Sequence, residues 1–190
     1  MTAFDGRFRD LGTVPTPLIS ALRDWVAGSE HLWRYADPRF TSAHPHSAHI
    51  VFRFPPRYPA THEDARPTEH WQPWADVLTP LLALVADGCG LESPGFAKVM
   101  LSRLDAGGTV PRHVDTNPSS QVPHKVHLPV ITNPDVAFVV GGERRHLPVG
   151  CAVEINNMLE HSVENRGRTP RVHLIVETYD RRATRPAGVS

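Results

Sequence analysis

The sequence has 190 residues, with 20 basic and 20 acidic side chains and a net charge of +0. That length suits one domain with a full hydrophobic core, and the even balance supplies no field for a nucleic-acid backbone. Two cysteines, Cys89 and Cys151, are too few for a disulfide framework or a cysteine zinc site, which leaves twelve histidines as the anomaly of the composition.

The residues from Met1 to Arg7 lack the apolar core of a signal peptide, and the longest apolar run, Leu81 to Ala86, is too short to cross a bilayer. A cytoplasmic chain with no membrane partner is expected. Thr16-Pro17 predicts the N-cap and first position of a helix on which Leu18, Ile19, Leu22 and Val26 share a face, ending near Gly28. His49 to Phe54 (HIVFRF) predicts a strand between Pro45 and the prolines at 55, 56 and 59. A second helix carries Trp74, Val77, Leu78, Leu81, Leu82 and Val85 and closes at Gly88; Pro80 is expected to kink it or to restart it on Thr79. Trp25 and Trp74 read as core. Trp33, Tyr35 and Trp71 lie in loop-like stretches and are candidates for a lid or substrate wall. Arg53 is open between an acidic substrate group and surface pairing. His44, His46 and His49 have no carboxylate at metal-binding spacing and read as a proline-bent strand entrance, with His49 turned toward the binding site.

From Gly95 onward the pattern becomes short β-rich runs: Ala97–Leu104, Thr109–Val114, Lys125–Thr132, Val136–Val140, Cys151–Ile155, Ser162–Glu164 and Arg171–Tyr179. Their spacing predicts a mainly β fold, a sandwich or a double-stranded β-helix (jelly roll, cupin-like), with the N-terminal α-helices packed on one sheet. Gly141-Gly142-Glu143 reads as a hairpin turn, since the segment after it opens no helix. A single domain over 1–190 is expected: a helical and loop part with one or more strands (1–94), a jelly-roll catalytic core (95–180) and a tail (181–190).

Within the β half, Arg112-His113-Val114-Asp115 is an H-x-D pair. In an extended segment residues i and i+2 point to the same side, so His113 and Asp115 can offer a nitrogen and an oxygen to one metal. His161 stands a plausible return distance later. Two histidines and one carboxylate on one face of a metal are the ligand set of non-haem Fe(II) oxygenases. Arg171 opens the strand RVHLIVETYD, where an arginine is expensive to bury unless a carboxylate meets it.

The segment from Lys98 to Asp180 resembles the aspartyl/asparaginyl β-hydroxylase family of Fe(II)/2-oxoglutarate-dependent oxygenases. The matching stretches are SRLDAGGTVPRHVD, KVHLPV, FVVGGE, G-x-x-x-EINN-x-x-x-HSVENRG and RVHLIVE, in family order. The resemblance implies that His113, Asp115 and His161 bind iron and that Arg171 binds the distal carboxylate of 2-oxoglutarate, assisted by Ser102. It places His127 near the other end of the cosubstrate and Lys125 where family members often carry arginine. Lysine there is a departure, because it offers a point charge instead of a planar fork. Asn156-Asn157 occupies the family's INN position before His161.

What the resemblance implies about activity is hydroxylation of an unactivated C–H using Fe(II), 2-oxoglutarate and O2, with succinate and CO2 as co-products. The substrate would be an aspartyl, asparaginyl or related amino-acid unit, free or in a peptide. Asp115 fills the position that halogenating relatives keep small, which points to hydroxylation. Two rivals stay open: a cupin-type metal enzyme that uses no 2-oxo acid, and a jelly roll that binds a ligand without turnover.

Overall fold

The computed structural model describes residues 4–35, 45–56 and 59–183; His44 lies outside them. Among the described residues, eleven strands are arranged in two sheets: a seven-stranded sheet in the order β1-β9-β6-β11-β4-β2-β3 and a four-stranded sheet in the order β5-β10-β7-β8, antiparallel throughout. The strands of the large sheet are β1 (Phe8–Thr13), β2 (Ser47–Phe54), β3 (Arg66–Pro67), β4 (Pro94–Leu104), β6 (His124–Ile131), β9 (Cys151–Ile155) and β11 (Arg171–Asp180). Those of the small sheet are β5 (Thr109–His113), β7 (Val136–Val140), β8 (Glu143–Arg145) and β10 (His161–Asn165). This is the expected jelly roll.

Helices α1 (Thr16–Gly28) and α2 (Trp71–Gly88) cover the outer face of the large sheet. Their helical periodicity meets the two-residue periodicity of the strands: Ile19, Leu22, Val26, Trp74, Leu78 and Leu81 pack against Val99, Leu101, Val126, Leu128, Leu174 and Val176. The alternate residues of β11 (Arg171, His173, Ile175 and Glu177) face inward, toward the small sheet. A second cluster, with Leu104, Phe138, Leu147 and Val153 in it, fills the space between the sheets.

Several expectations need correction. α1 begins at Thr16 itself, with Pro15 before it, and no side chain caps it. α2 runs unbroken through Pro80, so the helix does not restart on Thr79, whose hydroxyl instead donates to Ala75 O (2.7 Å). Pro80 lacks an N–H for Asp76 O, but Asp76 is exposed and water can satisfy it. Trp25 is 43% exposed and leans on buried Trp74 (ring centroids 5.2 Å). Trp33, by contrast, is in the helix-side core and Trp71 packs against it, so neither forms a wall of the inner cavity. Tyr35 is exposed and donates to Asp105 (3.0 Å). Arg53 takes neither role foreseen for it: it donates to the carbonyls of Phe96 (2.7 Å) and Ala65 (2.8 Å), tying the sheet margin together. The hairpin expectation holds: Gly141 and Gly142 connect β7 to β8 with φ of 52° and 83°, a pair of left-handed conformations that glycine adopts without strain.

Candidate active site

Between the sheets lies a cavity of about 190 Å³. Its two ends carry different chemistry, and the inward faces of the strands set the order.

At one end, His113 closes β5 and His161 opens β10. The two are cross-strand partners, with rings 4.2 Å apart. Asp115 lies just past the end of β5, where its N–H donates to Asn157 O (3.2 Å) and its Oδ2 accepts from Asn157 Nδ2 (3.2 Å). The strand expected over Thr109–Val114 thus ends at His113, and Asn157 holds Asp115 beyond it. One ligand atom from each of His113, Asp115 and His161 lies within 4.8 Å of the others. Nδ1 of His113 is 2.8 Å from Pro111 O and Nδ1 of His161 is 2.9 Å from Leu159 O. A carbonyl only accepts, so each Nδ1 carries the proton and each Nε2 presents a lone pair to the shared space. Burial, reinforced by the Lys125 ammonium, pushes His161 down to about 4 and keeps it neutral.

Lys125 is bound to the same carboxylate. Its Nζ lies 2.5 Å from Asp115 Oδ2 and 3.5 Å from Glu177 Oε1. Burial alone would raise the Asp115 carboxyl; Lys125, with His161, outweighs it and holds Asp115 well below the usual carboxylate range. Burial works against the Lys125 ammonium as well, but Asp115 and Glu177 overcome it and shift Lys125 upward. Glu177, 1% exposed, also pairs with Lys98 (2.8 Å), which donates to Ser120 Oγ and lies over the Phe54 ring. Lys98, Ser120 and Glu177 were missed as site residues in the sequence. The available signals were that Lys98 is one of only two lysines and that Glu177 shares a strand face with Arg171.

At the other end, Arg171 is 2% exposed. It donates to Ser102 O (3.1 Å) and lies over Phe138 (5.4 Å), while its Nε has no partner. No acidic side chain pairs with it among the described residues, and burial pulls it down to about 9. Ser47 and His49 on β2 and Ser102 on β4 line the same end of the large sheet's inner face, through the rows Ser47–Leu104–Arg171 and His49–Ser102–His173. Ser47 Oγ is buried without a hydrogen-bond partner, and so are both ring nitrogens of His127 and of His173. Burial, followed by Lys125 for His127 and Arg171 for His173, keeps both imidazoles neutral. His46 is exposed and away from the cavity.

The family model described as aspartyl/asparaginyl beta-hydroxylase matches residues 68–181, more than half of the chain. The chain belongs to this family. It is an Fe(II)/2-oxoglutarate-dependent hydroxylase. The match begins at Thr68 and so takes in α2, which the sequence motifs alone did not reach. Among curated proteins, none matches it by sequence. Solved structures share the fold of this hydroxylase at low identity. A 2OG-Fe(II) oxygenase-family oxidoreductase from Burkholderia pseudomallei has 13% identity and a TM-score of 0.61, over 85% of this chain and 77% of that one. A prolyl hydroxylase from Trichoplax adhaerens, in complex with a hypoxia inducible factor peptide fragment, has 11% identity and a TM-score of 0.63, over 96% and 87%. HygX from Streptomyces hygroscopicus, with nickel, 2-oxoglutarate and hygromycin B bound, has 12% identity and a TM-score of 0.54, over 92% and 83%. No helix among the described residues is long and apolar enough to cross a membrane.

Proposed function

We propose that this hydroxylase oxidises the β-carbon of an aspartyl, asparaginyl or related amino-acid unit, free or in a peptide, in the cytoplasm. In this reading His113, Asp115 and His161 hold Fe(II), and Arg171 binds the distal carboxylate of 2-oxoglutarate. The observation that carries it is the buried, carboxylate-free guanidinium of Arg171 in the same cavity as a two-histidine, one-carboxylate cluster. A cupin-type enzyme that uses no 2-oxo acid would leave that buried charge unexplained.

The donor set fits the groups. Two imidazole nitrogens and a carboxylate suit Fe(II) with positions left for other ligands, and the carbonyls of Pro111 and Leu159 fix the tautomer that a metal needs. When bound, iron and the 2-oxo acid supply O2-dependent oxidation of a C–H bond, with succinate and CO2 released. The chain's own work is to hold charge and exclude water. Lys125 neutralises Asp115 in the metal-free protein and is the cation beside the metal cluster, in the place where the family often has arginine. His127, neutral and unpartnered, offers a hydrogen bond without adding charge. Arg171, Ser102 and the unpaired hydroxyl of Ser47 supply donors for the distal carboxylate. Val110, Ile155, Val163 and Ile175 keep the middle of the cavity apolar.

The test is anaerobic addition of Fe(II) and 2-oxoglutarate. A visible charge-transfer band is expected, with cosubstrate-dependent succinate formation after air and candidate amino acids or peptides are admitted. His113→Ala should abolish both. Bound iron without a band sinks the cosubstrate assignment, and unchanged turnover in His113→Ala sinks the ligand assignment.

A further inference from the structure

A second group of metal-type ligands lies on the opposite face of the large sheet, outside the cavity. Cys89 follows the last turn of α2, His124 opens β6 and Glu154 sits in β9. One ligand atom from each lies within 4.8 Å of the others. Glu154 is 0% exposed, a carboxylate that needs a cation.

The cation now present is the protein's own. Nη2 of Arg9, on edge strand β1, is 2.6 Å from Glu154 Oε2 and 3.4 Å from His124 Nδ1, which itself lies 2.8 Å from Glu154 Oε1, and the guanidinium charge also reaches the Cys89 thiol. The guanidinium therefore stands where all three donor atoms converge. It fits imperfectly: Arg9 Nε and Glu154 Oε2 are buried without a well-formed hydrogen bond. The Arg9 side chain is also 37% exposed, so it can leave toward solvent without crossing the core.

We propose that Cys89, His124 and Glu154 form a second metal site, selective for zinc or a similar borderline divalent cation, with Arg9 as the resident cation that the metal displaces. The donor set selects the ion: a thiolate, an imidazole nitrogen and one carboxylate oxygen suit zinc, with water as a fourth ligand, and disfavour magnesium and calcium. The exchange balances. Before it, the Arg9 guanidinium and the Glu154 carboxylate cancel beside the Cys89 thiol, with His124 Nδ1 bonded to Glu154 Oε1. After it, the dication is cancelled by Glu154 and the Cys89 thiolate, the thiol proton has gone to solvent, and the imidazole carries its proton on Nε2. The two charges of the dication are matched by those of Glu154 and the Cys89 thiolate. Filling the site would tie the end of α2 to β6 and β9, which are already paired with each other in the large sheet.

Cobalt(II) separates this site from the cavity, because His113, Asp115 and His161 include no sulfur. Titration of the full-length protein with cobalt(II) is expected to produce an intense thiolate-to-cobalt charge-transfer band that is lost in Cys89→Ser, retained in Cys151→Ser, and bleached by stoichiometric zinc. Arg9→Gln keeps all three ligands and removes the competitor, so it should tighten cobalt binding. Absence of the band in the wild-type protein, its survival in Cys89→Ser, or weaker binding in Arg9→Gln would each overturn the proposal. None of these readouts depends on 2-oxoglutarate or on turnover, so they stand apart from the test of the proposed reaction.

Discussion

Replacing Arg171 with methionine should make the metal-free protein more stable and its cosubstrate binding far weaker. The guanidinium is 2% exposed, with one hydrogen bond to Ser102 O and an orphaned Nε. A fall from the ordinary 12.5 to about 9 means that keeping the charge there costs about 5 kcal/mol, at about 1.4 kcal/mol per tenfold in protonation. Methionine fills similar space without charge, and exchanging buried ionic groups for apolar ones typically recovers about 1–4 kcal/mol. For a domain of this size that raises the melting temperature by about 2–4 °C per kcal/mol. With 2-oxoglutarate bound the sign reverses, because a buried carboxylate left without its partner costs about 2–5 kcal/mol, or about 30-fold to a few thousand-fold in affinity. Thermal melts of the metal-free protein and anaerobic titration of the charge-transfer band measure the two halves. If Arg171→Met melts lower than wild type and still binds 2-oxoglutarate with wild-type affinity, the guanidinium is a structural group and the reasoning fails.

Lys125→Met leaves Asp115 buried without its ammonium and should cost the metal-free protein about 3–5 kcal/mol. Manganese(II) should restore much of that by returning a cation to the carboxylate, so equal manganese-induced shifts in variant and wild type would count against this account. Asn157→Ala removes the side-chain bonds to Asp115 Oδ2 and Ser120 O, and should weaken manganese binding by about 10- to 100-fold in a calorimetric titration. The metal-free protein should also be acid-labile. His161 is depressed from 6.5 to about 4, so its stabilisation is complete above pH 6.5 and drains away as pH falls toward 4, about 3 kcal/mol in all. His127 and His173 act in the same direction. Urea melts across that interval that show constant stability would contradict this.

The inner half of the molecule was legible because its signals are short-range. Alternation along RVHLIVETYD places Arg171 and Glu177 on one face, and H-x-D with a later histidine picks out the three residues that converge as a candidate metal cluster. Charge partnership was harder to see. That Glu177 holds Lys98, 79 residues before it, and that Asp115 is held by Asn157, 42 residues after it, as well as by Lys125, depends on how distant segments come together, which no local pattern encodes. Edge strand β1 was hidden for another reason: Arg9, Asp10 and Gly12 interrupt its pattern, and a bulge between Asp10 and Gly12 lets it pair with β9 all the same. Trp33 and Trp71 misled because aromatic side chains in irregular segments can complete a core as readily as they can cover a substrate.

The place of β11 in the large sheet has a consequence for how the chain is made. It is the bridge between β4 and β6 and follows both in sequence. Until it emerges from the ribosome, β2–β4 and β1–β9–β6 are two half-sheets, each with a long unpaired margin open to other chains. The same strand delivers Arg171 and Glu177, so the newborn protein lacks the proposed receptor for the cosubstrate before its sheet is sealed. Its oxidative competence and its protection from aggregation therefore arrive in one step.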